Sequence, residues 1–276
     1  GQRVALLPGV DRAIAGAVRD VAEVAGAEVD DFTETPDVFD ATTALVVMTH
    51  VDPDGRLADP AVVAASSRGA DARLLLDVSC SAGAMPLDVE SIGADFVLTE
   101  SHRWLLGPEA VAALWITPAL DRELPEWLRQ ASSPFARGTL LGLARSVGWL
   151  LMFVELPWAL DRTLVLADQL YEDLGAIEGL ELVAEPPAHG AIAAFRIAGW
   201  GAETVAEELG RSIFAIVEAD TEADLIRVSV GAWNRESEIE RFVTRVAELA
   251  AHTPETLPRR PSLTVISGPV DPEEDV

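Results

Sequence analysis

The sequence predicts an α/β protein: a mainly parallel sheet wound with helices, then a smaller α+β unit. Three observations carry that expectation. Short apolar runs alternate with helix-period segments from the first residues to Ile116. One run, Ala44 to Thr49, is apolar without a break, the pattern of a strand buried on both faces of a parallel sheet. Beyond a long helical stretch the order becomes strand, helix, strand, strand, helix. With 276 residues, 49% of them hydrophobic, the chain has side chains enough for one or two cored domains.

Taken in order, Arg3 to Leu7 reads as a strand closed by the turn signal Pro8-Gly9. Asp11 to Ala25 carries Ile14, Val18 and Val21 at helical spacing and stops at Gly26. Ala27 to Phe32 is a second strand and Ala44 to Thr49 a third. Asp59-Pro60 opens a helix to about Ser67, with proline at its first position. Leu74 to Asp77, Asp95 to Thr99 and Val111 to Ile116 are further strands, and strands spaced by helices imply right-handed crossovers. Trp127 to Ser133 reads as an irregular connector. Thr139 to about Ala184 reads as one or two long helices interrupted at Pro157. Ile192 to Ile197, Ser212 to Glu218 and Leu225 to Val230 are expected strands; Ala202 to Gly210 and Glu236 to His252 are expected helices. Of the tryptophans, Trp115, Trp149 and Trp158 are expected in core or interface, and Trp200, between glycines, at a loop tip.

Composition excludes several function classes. Acidic residues outnumber basic ones 46 to 20, a net charge of −26, which disfavours nucleic acid and anionic lipid as partners. One cysteine, Cys80, can form neither an internal disulfide nor a multi-cysteine metal site, and fits a reducing, cytoplasmic setting. No apolar run reaches membrane-spanning length, and the sequence shows no signal-peptide layout. Every one of the 20 basic residues is arginine, so the sequence offers no lysine amine for a Schiff base.

Ligands of open parallel sheets bind beyond the carboxyl ends of the strands. Four polar clusters stand at such ends: Pro8-Gly9, Thr49-His50, Asp77 to Cys80, and Ser101-His102-Arg103. An aspartate that closes an apolar strand, as Asp77 does, is costly to bury without a partner, and its plain alternative is a turn or helix cap.

These clusters sit in longer motifs. Val46-Val-Met-Thr-His-Val51, Leu74-Leu-Leu-Asp-Val-Ser-Cys80, Gly93-Ala-Asp-Phe96 and Glu100-Ser-His-Arg-Trp-Leu-Leu-Gly-Pro108 follow in that order. Phe135-Ala-Arg-Gly-Thr139 and Ile226-Arg-Val-Ser229, with Trp233-Asn234 behind it, come later. Together they resemble the class V aminotransferase / cysteine desulfurase superfamily of fold-type I pyridoxal phosphate (PLP) enzymes, with isopenicillin epimerase-like, kynureninase-like and ergothioneine C–S lyase-like branches nearest. The resemblance implies a PLP-transferase-like large domain, N-terminally truncated, over residues 1–130. Connecting helices and a small C-terminal α+β domain would occupy 131–252; frequent proline and the acidic end Pro-Glu-Glu-Asp-Val read 253–276 as a flexible acidic tail.

The resemblance also implies roles. Asp77 would pair with the pyridinium nitrogen of PLP, Cys80 would stand near the ring's phenolic oxygen, and His50 would lie in the segment lining the ring. His102 would precede the Schiff-base position and contact phosphate. Thr139 would reach the cofactor of a neighbouring subunit, implying a homodimer or a heterodimer with a related lysine-bearing subunit. Arg227 would grip the carboxylate of a small amino-acid-like ligand. The Schiff-base position itself falls on Arg103, and arginine neither forms an aldimine nor shuttles a proton. PLP would thus be held non-covalently if it is held at all. No cysteine lies between Phe214 and Leu225, where desulfurases place a sulfur-accepting thiol. The expectation is a degenerate family member, inactive alone, acting as a partner or regulatory subunit. The rivals are a PLP-dependent lyase, epimerase or transferase, and an anion-binding module in the vestigial cleft.

Overall fold

The structure, a computed structural model, describes residues 1–122 and 137–258. The connector at Trp127 and residues 259–276 of the expected tail lie outside the described residues; Thr253 to Leu257 of that tail instead form a hydrogen-bonded turn, with Leu257 packed on the core.

Strand β1 (Arg3–Leu6) leads into α1 (Arg12–Ala25), whose N-terminus is capped by Asp11 accepting from the Ala13 amide at 2.8 Å. Gly26, at φ 68°, ends α1 in the left-handed conformation. There follow β2 (Glu28–Asp31), β3 (Thr43–Thr49), α2 (Pro60–Gly69), β4 (Arg73–Asp77), the short α3 (Val89–Ile92), β5 (Phe96–Glu100), β6 (Ala112–Ile116) and the short α4 (Pro118–Asp121). The strands form one sheet in the order β2-β1-β3-β4-β5-β6. All its pairings are parallel except β5 with β6.

Alternation along β3 buries both faces. Val46 and Met48 pack with Val63 and Ala64 of α2, while Val47 packs with Ala15 and Ala22 of α1. An unbroken apolar strand is what this sandwich requires.

Helix α5 (Arg137–Trp149) runs through a π-helical turn at Leu150–Val154 into α6 (Leu156–Gly175). The two helical arms meet at 88°. The break falls at Glu155, which takes φ 62°, and Pro157 sits in the first turn of α6, where a missing N–H costs nothing. No single described helix is long and apolar enough to cross a membrane; this bent pair reaches that length and composition only jointly. The remaining elements are β7 (Leu180–Leu182), β8 (Ile192–Ile197), α7 (Ala202–Ile213), β9 (Glu218–Asp220), β10 (Leu225–Ser229) and α8 (Glu236–Ala250). Their strands form an antiparallel sheet ordered β7-β8-β10-β9.

Three expectations are corrected. Ser212 to Glu218 is not a strand: α7 continues to Ile213, and only Glu218–Asp220 pairs with β10. The apolar residues Phe214 and Ile216 that gave the strand-like pattern are 88% and 97% exposed, and no described strand pairs with them. The helical stretch ends at Gly175 rather than Ala184, because Leu180–Leu182 pairs with β8. Trp200 is no loop tip; it is buried, and its indole donates to the Leu249 and His252 carbonyls at 3.0 and 2.8 Å.

Leu166, Leu170 and Leu174 of α6, Phe195 of β8 and Leu249 of α8 form a core that also takes in Val51, Cys80 and Trp104 from the first sheet's loops. The Trp104 indole donates to the Val230 carbonyl at 2.8 Å, tying the two sheets together behind the site.

Candidate functional site

The carboxyl ends of β3, β4 and β5 meet at one place. Register sets Thr49 beside Asp77 and Asp77 beside Leu98, with Glu100 two residues beyond Leu98 on the same face. Thr49, Asp77 and Glu100 therefore project to the α1 side of the sheet, as Val47 does. There, with Cys80 and Arg103, they line a cavity of about 40 Å³. Asp77 is 2% exposed. Its Oδ1 accepts from the Ser79 hydroxyl at 2.6 Å and the Ser79 amide at 2.9 Å. Burial pushes its carboxyl above the usual range, with the Ser79 bonds and Arg103 opposing. Burial likewise pushes the Cys80 thiol up to about 12. The Thr49 hydroxyl is buried and has no hydrogen-bond partner among the described residues.

Outside this cavity lies a cleft of about 770 Å³ between the loops after β1 and β3 and the strands β9 and β10. Asp11, Pro53 and Arg103 line both spaces, so they form the wall between them. The Arg103 Nε donates to Glu100 at 3.1 Å.

Across the cleft, Arg227 of β10 meets three carboxylates. Its Nε donates to Asp54 at 2.8 Å, Nη1 to Glu218 at 2.9 Å and Nη2 to Asp220 at 2.8 Å. Burial works against its charge, but the bonds to Asp54 and Asp220 outweigh burial and hold its pKa above the ordinary guanidinium value. The other cationic side chains on the cleft are paired too: Arg56 lies 3.2 Å from Asp52, and Arg12 lies 2.8 Å from Glu222.

Of the residues singled out in the sequence, Asp77, Cys80 and Arg103 thus line the inner cavity, and Arg103 and Arg227 line the cleft. Three others line neither. His50 follows Thr49 and so faces away; it is buried, with Nδ1 2.9 Å from the Ser81 hydroxyl, and burial lowers its pKa, opposed by Asp59. His102 is exposed, 3.9 Å from Glu100. Thr139 lies in the first turn of α5. Sequence reasoning passed over Asp11, Asp52, Asp54, Glu218 and Asp220 as cleft residues. Asp54-Gly55 carried a signal, a turn directly after a buried strand, but nothing in the spacing linked it to Arg227.

The model of the family Aminotransferase class-V matches residues 15–242. A kynureninase from Pseudomonas fluorescens is 34% identical over 100 residues, 36% of this chain and 24% of that protein. A probable cysteine desulfurase from Methanothermobacter thermautotrophicus is 23% identical over 250 residues, 78% of this chain and 62% of that one. The chain thus spans between about a quarter and three-fifths of the length of these curated relatives. Among solved structures, the apo cysteine desulfurase of Thermococcus onnurineus NA1 superposes with a TM-score of 0.78 at 18% identity, covering 91% of this chain and 73% of that one. A cystine C–S lyase in complex with its product, cysteine persulfide, gives 0.79 at 18% identity, covering 90% and 75%.

Proposed function

We propose, for a chain that belongs to the class-V aminotransferase family, that it is a degenerate member, silent as an enzyme on its own and serving as the partner or regulatory subunit of a related chain that carries the lysine. The observation that carries this reading is Arg103. By the resemblance of the motif Ser101-His102-Arg103-Trp104 it would stand where the family has its Schiff-base lysine, and its guanidinium is paired with Glu100 in the wall between cleft and Asp77. Guanidinium stays protonated throughout the accessible pH range and offers no lone pair for an imine.

The inner cavity at Asp77, about 40 Å³, has room for a water and not for a pyridoxal ring; to reach Asp77 from the adjoining cleft of about 770 Å³, PLP would have to displace the wall that Asp11, Pro53 and Arg103 form. Among the described residues, each guanidinium on the cleft already faces a carboxylate with which a phosphate would have to compete.

The partner half of the reading is supported by the outer face of α5, the π turn and α6. There Leu141, Trp149, Met152, Phe153 and Trp158 are all at least half exposed. Exposed large apolar side chains of this kind on a chain of net charge −26 support a protein contact there. Thr139, expected to reach a neighbouring subunit, stands at the start of the same helix.

The test is a titration of the purified chain with PLP, followed by visible absorbance, borohydride reduction and mass spectrometry. The expected result is no saturable band and no reduced adduct. A saturable band that Asp77→Ala abolishes would overturn the proposal in favour of the second reading, a PLP-dependent lyase, epimerase or transferase acting on an amino acid. That reading is favoured by Asp77 itself, a carboxylate kept buried at a strand end with Ser79, among the described residues, as its only hydrogen-bond partner. Sedimentation of the chain alone separates a homodimer from a subunit that pairs with a different chain.

A further inference from the structure

Arg227 is held on two sides. Glu218, its direct cross-strand partner on β9, and Asp220 bind Nη1 and Nη2 from the arginine's own sheet. The third carboxylate, Asp54, comes from the loop after β3, 173 residues away, and reaches Nε across the cleft at 2.8 Å.

That loop is built to present Asp54. The Asp52 carboxylate accepts from the Asp54 and Arg56 amides at 2.9 and 2.8 Å. The Gly55 carbonyl accepts from the Gly190 amide at 2.9 Å, and the Leu57 amide donates to the Ala188 carbonyl at 3.1 Å. Both side chains are mostly shielded, Arg227 at 15% exposure and Asp54 at 23%.

We infer that Asp54 is a built-in occupant of Arg227: it takes the seat that a ligand carboxylate would take, and thereby sets the cleft against anionic guests. A free carboxylate competes with one that is already tethered and oriented, and so faces a high effective concentration. It must also enter beside Asp52, Glu218 and Asp220. The inference is independent of the proposed function; it takes Arg227 as a ligand-facing cation because that side chain lines the cleft.

The experiment uses benzoate as probe and no cofactor, so its outcome is independent of the PLP titration. Calorimetry gives the affinity, and the Arg227 Nε–H resonance reports the site. Asp54→Ala is expected to bind benzoate at least about tenfold more tightly than the unmodified chain, the factor that one charge-assisted hydrogen bond supplies. The gain is expected to vanish in Asp54→Ala/Arg227→Gln. A folded Asp54→Ala protein with unchanged benzoate affinity overturns the inference, as does a gain that survives loss of Arg227. Should Asp54→Ala not fold, Asp54→Asn carries the same comparison, because it removes the charge while keeping the side chain's shape.

Discussion

Replacing Gly55 with alanine strikes where the loop after β3 meets the second sheet. Gly55 takes φ +89°, and a Cβ placed on it would lie 2.0 Å from the Ile192 carbonyl oxygen and 2.6 Å from the Tyr171 hydroxyl. Carbon and carbonyl oxygen ordinarily meet at about 3.3 Å, so the loop must retreat by more than an ångström from a backbone atom that cannot rotate aside. Left-handed backbone costs a residue with a Cβ roughly 1–2 kcal/mol. The retreat also disturbs the Tyr171 hydrogen bond to Ile192, 2.6 Å long and buried, adding about 1–3 kcal/mol for a hydroxyl left without its partner. The expected loss is about 2–5 kcal/mol, read as a shift in urea-induced unfolding followed by tryptophan fluorescence. A loss under about 1 kcal/mol would refute the close approach. Because Asp54 adjoins Gly55, the variant should also disturb the Arg227 Nε–H resonance even in the folded state.

Leu166→Ala, fully buried in the largest core, should destabilise by about 2–5 kcal/mol in the same urea assay, whereas Val165→Ala next to it, 59% exposed, should stay within about 0.5 kcal/mol. Asp77→Asn should stabilise the fold at neutral pH. The folded-state pKa of Asp77 is raised, so above that value the native state holds a charge that burial penalises. The gain should shrink as pH falls through the raised value and disappear below the ordinary aspartate value of about 3.9; a gain independent of pH would refute the cause. Cys80, 3% exposed with its thiol pushed up to about 12, should resist a thiol-specific disulfide reagent in the native state and react only on unfolding. Rapid labelling of the native protein at neutral pH would contradict its burial.

Much of the first sheet was legible because its signals are local. Val46-Val47-Met48 has to be apolar throughout when both faces are covered, and Asp11, Gly26 and Asp59-Pro60 announce helix ends by their own chemistry. The antiparallel turn of β6 against β5 was not legible, since apolar strands read alike in either direction. Phe214 to Val217 misled for a related reason: β-prone residues predict a strand only where a neighbouring strand exists to pair with them. At the site, Asp77 and Arg103 could be found by position at strand ends. His50 could not be separated from Thr49 without the phase of β3, one residue deciding between the cavity side and the α2 side. The Asp54–Arg227 contact joins points 173 residues apart and leaves no periodicity to read.

The core shared by the two sheets bears on how the cleft can move. Val51, Cys80 and Trp104 from the first sheet's loops are packed into the same apolar mass as Leu166, Phe195 and Leu249, and the Trp104 indole is anchored to Val230. Swinging one sheet away from the other would expose that mass to water at about 25 cal/mol for each Å² uncovered. Traffic into the cleft is therefore governed by individual side chains trading partners, at Arg227 and Arg103 above all, while the two sheets rise and fall in stability as one body.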